Sequence, residues 1–185
     1  MILPIYLYGN PVLRKLAQPI DKDYPKLTQL IDDMYETMYR SEDGVGLAAP
    51  QVGISIRLFV IDLSTLDTDK YPEYKDWKKT FINPEITERF GEVISYDEGC
   101  LSLPGLSETV RRHNSVRIKY LDENFTEHEE EFSGFSARVI QHEYDHLEGH
   151  MYIDHISPIR RQMIKGKLNS IAKGKVNCKY KYRAA

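Results

Sequence analysis

The stretch Gln141–His146 constrains this chain more than any other, because it combines two histidines and a glutamate at helical spacing. In an α-helix, residues four positions apart lie on the same face, one turn above each other. His142 and His146 are therefore expected to bind one metal ion, with Glu143 beside it to handle the proton of a water molecule. This pattern indicates a metallohydrolase.

The residues around this stretch favour a largely buried helix. Phe135, Val139 and Ile140 have the apolar spacing of a helix that packs on a core, and Gly149 provides a stop at its C-terminal end. Two histidines on a helix are often only surface groups, which is the alternative explanation. In a buried helix, however, two histidines and a glutamate need polar partners, and a metal ion is one such partner.

The third ligand decides the kind of enzyme, since an open catalytic site of the zinc type uses three protein ligands. His150 lies two turns beyond His142, about 12 Å along the helix axis, which is too far for one ion. A metalloprotease pattern with a third histidine would need it at position 152, which is Tyr152. A glutamate from a later helix is excluded, because no glutamate follows Glu148. Asp154 follows too closely to belong to a separate returning helix.

Cys100 is a better candidate for the third ligand. It lies in the glycine-containing, turn-prone segment Glu98–Ser102, and its thiolate would complete a site of one cysteine and two histidines. The only other cysteine is Cys178, and a disulfide between the two is the alternative. The stretch Met1–Pro4 has neither the basic nor the apolar part of a secretory signal, which favours reduced thiols. We therefore expect a bacterial cytoplasmic protein, with an organellar protein whose transit segment has been removed as the alternative.

Three segments together resemble the peptide deformylase family, in the order in which that family carries them. They are Gly44–Gln51, Glu98–Ser102 and Gln141–His146. The likeness runs from about residue 4 to about residue 167, and the chain is most similar to the shorter, enterobacterial-like class of the bacterial type. Each segment alone is a weak or moderate signal, whereas the three together are highly specific.

The resemblance implies removal of the formyl group from N-formylmethionine at the start of nascent peptides. The implied metal ligands are Cys100, His142 and His146. Glu143 would accept a proton from the attacking water and pass it to the leaving amine. By analogy with the family, the side-chain amide of Gln51 and the backbone N–H of Leu101 would stabilise the oxyanion. These residues are therefore the expected catalytic groups.

The identity of the metal is a separate question. The ligand types alone favour zinc, because two imidazoles and a thiolate are typical zinc ligands. The family, however, works best with ferrous iron, with nickel or cobalt as active substitutes and zinc usually poor. The resemblance therefore implies Fe²⁺ in the cell, whereas Zn²⁺, Ni²⁺ or Co²⁺ can occupy a purified sample.

The substrate pocket is expected to be apolar, because it must accept a methionine side chain. The resemblance places these residues at the substrate: Gly44, Val45, Gly46, Leu47, Tyr96, Gly99, Phe135, Arg138 and Val139. Arg138 departs from the apolar residue expected there, and we expect its stem to line the rim while its head stays in water. Ser107 aligns with an arginine that related family members place near the substrate backbone, so contacts beyond the methionine are expected to differ.

Groups behind the ligands are expected to orient them. Glu98 is predicted to pair with Arg112, at a position that matches an arginine of the family, and a solvated surface pair is the alternative. Asp145 lies between the two histidines on the helix but points away from the metal face, so we expect it to be structural.

Several strands with few intervening helices favour an α+β fold. We expect antiparallel sheets packed around the central helix that carries the motif. Apolar periodicity predicts a helix over 26–40 and strands over 57–62, 80–86, 116–121 and 128–132, with a surface loop over 64–79. The length predicts a single catalytic domain over 1–185, with a core to about residue 158 and a basic C-terminal helix or tail over 159–185.

Charge is unevenly distributed along the chain. The net charge is −3, yet no acidic residue follows Asp154, whereas nine lysines and arginines do. A basic tail on an acidic body favours a polyanionic partner. Because formylated chains emerge from ribosomes, ribosomal RNA is the expected partner, and a tail that docks on its own acidic body is the alternative. We expect no DNA and no membrane partner, since no apolar run reaches transmembrane length.

Two other functions are alternatives to deformylation. One is a metalloprotease of another class, which the missing third ligands disfavour. The other is a non-catalytic relative stabilised by a metal, which is disfavoured because Gln51, Leu101 and Glu143 are all present.

Overall fold

The structure, a computed structural model that describes residues 1–185, contains one five-stranded antiparallel sheet and one two-stranded parallel sheet. The strands are β1 (Ile5–Tyr6), β2 (Gly46–Ala48), β3 (Leu58–Asp62), β4 (Lys78–Cys100), β5 (Leu103–Leu121), β6 (Glu127–Ser133) and β7 (Tyr182–Arg183). The order in the main sheet is β2–β3–β4–β5–β6, and β1 pairs with β7. Every neighbouring pair in the main sheet is antiparallel, as predicted.

Four α-helices complete the fold: α1 (Leu27–Arg40), α2 (Phe135–Leu147), α3 (Pro158–Met163) and α4 (Lys165–Ala172). The apolar repeat that predicts a helix over 26–40 corresponds to α1, which buries Met34 and Met38 completely. The α+β class expected from the sequence is thereby confirmed.

The hairpin of β4 and β5 is much longer than the sequence indicates. The predicted strands over 80–86 and 116–121 cover only its base. Nearly every side chain from Thr87 to Asp97 is exposed, so this part of β4 carries no alternation of apolar and polar residues. The hairpin turns at Leu101 and Ser102, which places Cys100 at the very end of β4.

The helix α2 packs against four strands of the main sheet, namely β2, β3, β5 and β6. Ala137, Ile140 and Leu147 are completely buried on its sheet side. The helix ends before Gly149, whose φ of +77° is a conformation that glycine adopts easily. A Cβ at this position would lie 2.7 Å from the carbonyl oxygen of Arg14. The predicted central helix and its glycine stop are both present.

The C-terminal segment 159–185 lies against the body of the protein. The apolar residues Ile164, Leu168 and Ile171 are almost fully buried in the same cluster as the side chains of α1. Further along the chain, β7 pairs with β1, so the last residues also contact the body through backbone hydrogen bonds. The segment is therefore helical at first and then extended.

Some of the basic side chains in this segment pair with carboxylates of the body. Arg160 lies 2.7 Å from Glu108, and Arg161 lies 3.0 Å from Asp154. Docking on the acidic body was one of two alternatives for the basic tail, and these pairs realise it in part. None of the helices is both long enough and apolar enough to cross a membrane.

Candidate metal and active site

The end of β4 and one face of α2 bring three candidate ligands together. Cys100 is the last residue of β4, and His142 and His146 lie one turn apart on α2. Their donor atoms all lie within 4.8 Å of one another, and Cys100 Sγ is 3.4 Å from His146 Nε2. Helical spacing accounts for the two imidazoles, whereas the sheet brings in a cysteine 46 residues before His146. One metal ion with three protein ligands requires such a grouping.

The two histidines differ in how the surrounding groups affect their charge. His142 Nδ1 lies 2.8 Å from Glu98 Oε1, which leaves its Nε2 for an ion. Burial, and then the charge on His142, lower the pKa of His146 to about 3, so this imidazole is neutral near pH 7. Burial opposes a charge on His142 as well, but hydrogen bonds with Cys100 and Glu98 raise its pKa well above the usual value. The position favours positive charge, and the donors fit a divalent metal ion.

Glu143 lies beside these ligands with one unpartnered oxygen. Its side chain is buried, and Oε2 makes no hydrogen bond. Burial raises the pKa of Glu143 to about 7, which suits a group that takes up and releases a proton near neutral pH. Gly46 of β2 makes room for this carboxylate, because a Cβ at position 46 would lie 2.9 Å from Glu143 Oε1.

Gln51 reaches the same site from a turn of 3₁₀-helix after β2. Its side chain is almost fully buried. The backbone N–H of Ala48 donates to Gln51 Oε1 at 3.0 Å, which fixes the orientation of the amide. The amide nitrogen then points to the end of the hairpin, 3.3 Å from Cys100 Sγ and 3.2 Å from Ser102 Oγ. A donor is thus held beside the candidate ligands.

Behind the site, Glu98 is the acceptor of a buried network of charges. Arg112 donates to its two oxygens at 2.6 and 3.0 Å, so the predicted pair is present. Arg138 donates to the same carboxylate at 2.7 Å. Burial would raise the pKa of Glu98, but hydrogen bonds from His142 and Arg112 hold it far below the usual value. Glu98 therefore stays ionised and orients one candidate ligand.

The guanidinium of Arg138 is buried, so the prediction that its head stays in water is wrong. Besides Glu98, it donates to the carbonyl oxygens of Val110 at 2.9 Å and Ile94 at 2.8 Å. A carboxylate and two backbone carbonyls satisfy a buried guanidinium, which explains why this cation leaves the solvent. Arg138 still lines the cleft, with its guanidinium carbon 5.7 Å from the ring of Tyr96.

Asp145 belongs to the same network and was expected to be structural. It accepts a hydrogen bond from Arg112 at 2.9 Å and lies 2.8 Å from His155 Nε2. Burial would raise the pKa of Asp145, but His155 and Arg112 lower it. Arg112 therefore joins the strand residue Glu98 to the helix α2.

A cleft of about 710 Å³ opens beside the candidate ligands. Eight of the residues expected at the substrate line it: Gly44, Val45, Gly46, Tyr96, Gly99, Phe135, Arg138 and Val139. Leu47, which the resemblance also places at the substrate, does not line it. Successive side chains of a strand point to opposite faces. Where Gly46 of β2 opens on the cleft, the next residue, Leu47, is completely buried in the core.

Four residues near the end of the chain also line the cleft, and sequence reasoning missed them. They are Asn177, Cys178, Lys179 and Tyr180. They lie in a lysine-rich stretch without a motif, so no signal in the sequence indicated them. Ser107, which occupies the position of an arginine in related proteins, lines the cleft as well. Cys100 and Cys178 are both free thiols, so the alternative of a disulfide is not realised.

Comparisons with known proteins show the family to which the chain belongs. The sequence model of the polypeptide deformylase family matches residues 2–162. The chain belongs to that family. It is 51% identical to the peptide deformylase of Christiangramia forsetii over 99% of this chain and 96% of the relative. It is 49% identical to that of Cytophaga hutchinsonii, over 99% of this chain and 97% of the relative.

Solved structures of the family have the same fold. A peptide deformylase from Legionella pneumophila superposes with a TM-score of 0.81 and 38% identity, covering 95% of this chain and 98% of that one. The enzyme from Thermus thermophilus gives a TM-score of 0.82 and 38% identity, covering 94% and 99%. The chain is a hydrolase that removes the N-formyl group from nascent peptides, in a family that depends on a metal. This confirms the function expected from the sequence.

Proposed function

We propose that the chain deformylates N-formylmethionyl peptides at a metal ion held by Cys100, His142 and His146, with Glu143 as the general base. One observation carries this assignment: three donor atoms lie within 4.8 Å of one another beside a buried carboxylate oxygen that has no partner. A divalent ion bound there would acidify a water molecule and polarise the formyl carbonyl. The remaining steps depend on residues of the chain itself.

Glu143 moves the proton in this proposal. With a pKa of about 7, its carboxylate is able to accept a proton from water and to release it later at neutral pH. Its unpartnered Oε2 is the atom available for this transfer. The proton passes to the nitrogen of the leaving amine, which becomes the free N-terminus of the peptide while formate is released.

Two donors stabilise the oxyanion that forms on the formyl oxygen. The N–H of Ala48 donates a hydrogen bond to the amide oxygen of Gln51, and this orients the amide nitrogen toward the hairpin turn. The backbone N–H of Leu101 donates to no backbone acceptor, so it is available for the substrate. Fixed donors of this kind act without reorganisation, and the loss of one typically lowers turnover about 10²- to 10³-fold.

The methionine side chain of the substrate occupies the apolar part of the cleft. Val45, Phe135 and Val139 line it there, with the rings of Tyr96 and Phe135 5.9 Å apart. Gly44, Gly46 and Gly99 line the same cleft beside these side chains, where we expect the peptide backbone to lie. Glu98 and Arg112 do not touch the substrate and act by orienting His142 and the end of β4.

Ferrous iron is the metal that we propose for the cell, with zinc, nickel or cobalt able to occupy the same ligands in a purified sample. One thiolate and two imidazoles accept all four of these metals, so selection depends on availability in the cell as well as on geometry. Because nascent peptides are the substrate, we place the enzyme in the bacterial cytoplasm.

The experiment that tests the assignment measures formate release from a formyl-Met tripeptide by protein purified without oxygen. Iron content is measured on the same samples. Glu143→Gln keeps the size of the side chain but removes the base, and we expect turnover to fall at least about 10²-fold with bound iron retained. Glu92→Gln, at an exposed position of the β4 hairpin, is the matched control and keeps wild-type turnover.

Two outcomes would contradict the assignment. If Glu143→Gln released formate at the wild-type rate with the same iron content, Glu143 would not be the base. If iron-loaded wild type released no formate, the deformylase function itself would be wrong.

Contact with ribosomal RNA through the C-terminal segment is a separate proposal. Four exposed lysines support it, namely Lys165, Lys167, Lys173 and Lys175. Each neutralised phosphate releases counterions, so binding should weaken steeply as salt rises. Changing the four lysines to glutamine is expected to abolish co-sedimentation with ribosomes at low salt. Unchanged co-sedimentation would contradict the proposal, and Lys22→Gln, an exposed lysine outside the segment, is the control.

A further inference from the structure

The C-terminal segment packs on the body of the protein and also forms one wall of the cleft. Tyr180 lines the cleft together with Leu101 and Gly44, which lie far away in the sequence. The match to the family model ends at residue 162, so this wall lies outside the part of the chain that the family pattern describes. Its contribution to the reaction therefore has to be read from the structure.

Backbone pairing holds this wall in place. The N–H of Ile5 donates to the carbonyl oxygen of Lys181, and the N–H of Leu7 donates to that of Arg183, both at 2.9 Å. Ile5 and Leu7 are completely buried, so these bonds join the C-terminal segment to residues of the core. Tyr180 immediately precedes the first of these bonds, and its ring packs against the core cluster of α1.

The phenol of Tyr180 bonds the turn that follows Cys100. Its hydroxyl donates to the carbonyl oxygen of Leu101 at 2.6 Å. The next carbonyl, that of Ser102, accepts the N–H of Tyr8 at 2.9 Å. Both carbonyls of the turn are thus held from outside the hairpin, one by the C-terminal segment and one by the residues after β1. Burial raises the pKa of the Tyr180 phenol, so it remains a donor across the neutral range.

We propose that Tyr180 is a positioning residue for deformylation, because its hydroxyl fixes the Leu101–Ser102 peptide and thereby aims the N–H of Leu101. This inference rests on the proposed role of that N–H as an oxyanion donor. The peptide on the other side of Leu101 begins at Cys100, whose sulfur is one of the three proposed metal ligands. With both neighbours fixed, the N–H points to one place before the substrate arrives, as a preorganised donor must.

This role makes a kinetic prediction that a packing role does not. A donor that meets the oxyanion acts in the transition state more than in the ground state, so its misalignment lowers kcat and leaves KM nearly unchanged. The ring of Tyr180 accounts for its packing, whereas only the hydroxyl makes the bond to Leu101. Replacing tyrosine by phenylalanine separates the two contributions.

The test compares Tyr180→Phe with Tyr182→Phe in formate release from a formyl-Met tripeptide, with rates expressed per bound iron. Tyr182 is the matched control, since it lies two residues further on, is partly exposed and donates to Gly174 at 3.4 Å, away from the turn. We expect Tyr180→Phe to lower kcat about threefold to tenfold, the range for one neutral hydrogen bond. KM and the iron content stay as in wild type, the melting temperature falls by no more than about 4 °C, and Tyr182→Phe keeps the wild-type kcat.

Three results would overturn the inference. The first is a kcat per bound iron in Tyr180→Phe that equals that of an active wild type. This result would leave the deformylase assignment intact. The second is a rise in KM at constant kcat, since Tyr180 would then bind the substrate. The third is a loss of rate that matches a loss of iron or of folded protein. If the wild type released no formate, the proposed function and this inference would fail together.

Discussion

Arg112 and Arg117 lie five positions apart on β5, yet their surroundings are opposite. The side chain of Arg112 is 5% exposed and binds the equally buried Glu98. The side chain of Arg117 is 44% exposed and pairs with Glu131, which is 51% exposed. Both are arginine–glutamate pairs on one strand. What separates them is the face of the strand on which each lies: Arg112 is on the same face as the buried Val110, whereas Arg117 is on the face opposite the completely buried Val116 and Ile118.

The difference shows what each pair does for the protein. A buried charge that loses its partner is costly, because water cannot replace the partner. An exposed charge that loses its partner is solvated at once, so such pairs contribute little. The buried pair also holds His142 and α2, whereas the exposed pair only bridges two neighbouring strands. The pair of Arg14 and Asp154, which are 39% and 24% exposed, lies between these extremes.

Removal of the buried cation is expected to have the largest effect on stability. Arg112→Leu replaces the guanidinium side chain by an apolar one of moderate size and leaves Glu98 and Asp145 with fewer hydrogen-bond partners. We expect the free energy of unfolding to fall by about 3 kcal/mol. Urea unfolding of the metal-free protein measures it, and a loss below about 1 kcal/mol would place the buried pair in the same class as the exposed one.

Neutralising Glu98 tests whether the network serves the metal site. Glu98→Gln removes the charged acceptor of His142 Nδ1, so the imidazole loses part of its orientation and basicity. The loss of such a group behind a ligand typically costs about 10- to 100-fold in metal affinity or activity. Competition with a chelator measures the affinity. Glu131→Gln on the exposed pair is the control, and equal affinities for the two variants would contradict the comparison.

The intermediate pair gives a smaller effect that depends on pH. Burial opposes ionisation of Asp154, but hydrogen bonds from Arg14 and Met151 lower its pKa below the usual 3.8. A lowered pKa in the folded state stabilises the protein above the unfolded pKa, and this gain is lost as the pH falls through the folded pKa. Asp154→Asn keeps the acceptor for Met151 and removes the charge, so we expect a loss of about 1 kcal/mol at pH 7.

The difference in the free energy of unfolding between Asp154→Asn and wild type should become smaller below about pH 3.8. Urea unfolding midpoints measured from pH 7 to pH 3 test this. A difference that stays constant over this range would mean that the charge of Asp154 does not stabilise the fold.

The exposed pair is expected to give the smallest effect. Arg117→Gln removes the partner of Glu131, which then faces water. We expect the free energy of unfolding to change by no more than about 0.5 kcal/mol, with unchanged metal affinity and turnover. A loss above 1 kcal/mol in urea unfolding would show that the hairpin depends on this pair, and the comparison with Arg112 would fail.

Much of the fold could be predicted where burial follows the period of the element. The helix over 26–40 has a clear apolar stripe, and α1 occupies it to within one residue. The middle of β4 could not be predicted, because its exposed residues show no alternation of apolar and polar types. The strand exists there because two segments of the chain form backbone hydrogen bonds with each other. Backbone hydrogen bonds do not depend on the type of side chain, so the sequence does not indicate them.

The surroundings of individual side chains were equally hard to predict. Arg138 is an arginine on a helix, and no local pattern indicates that Glu98 and two carbonyl groups surround its head. The resemblance places Leu47 at the substrate with its neighbours, whereas the alternation within β2 turns its side chain into the core. A sequence pattern identifies the segment but does not identify the partners of each side chain.

The sequence by itself determined the family, the activity and the set of residues proposed to carry it, because three short segments hold the chemistry in a fixed order. Helical spacing alone places His142 and His146 on one face. Only the tertiary structure decided how Cys100 meets them, which charges are buried behind them, and that Tyr180 bonds the turn beside them. Those contacts join positions up to 79 residues apart, where local pattern carries no information about distance.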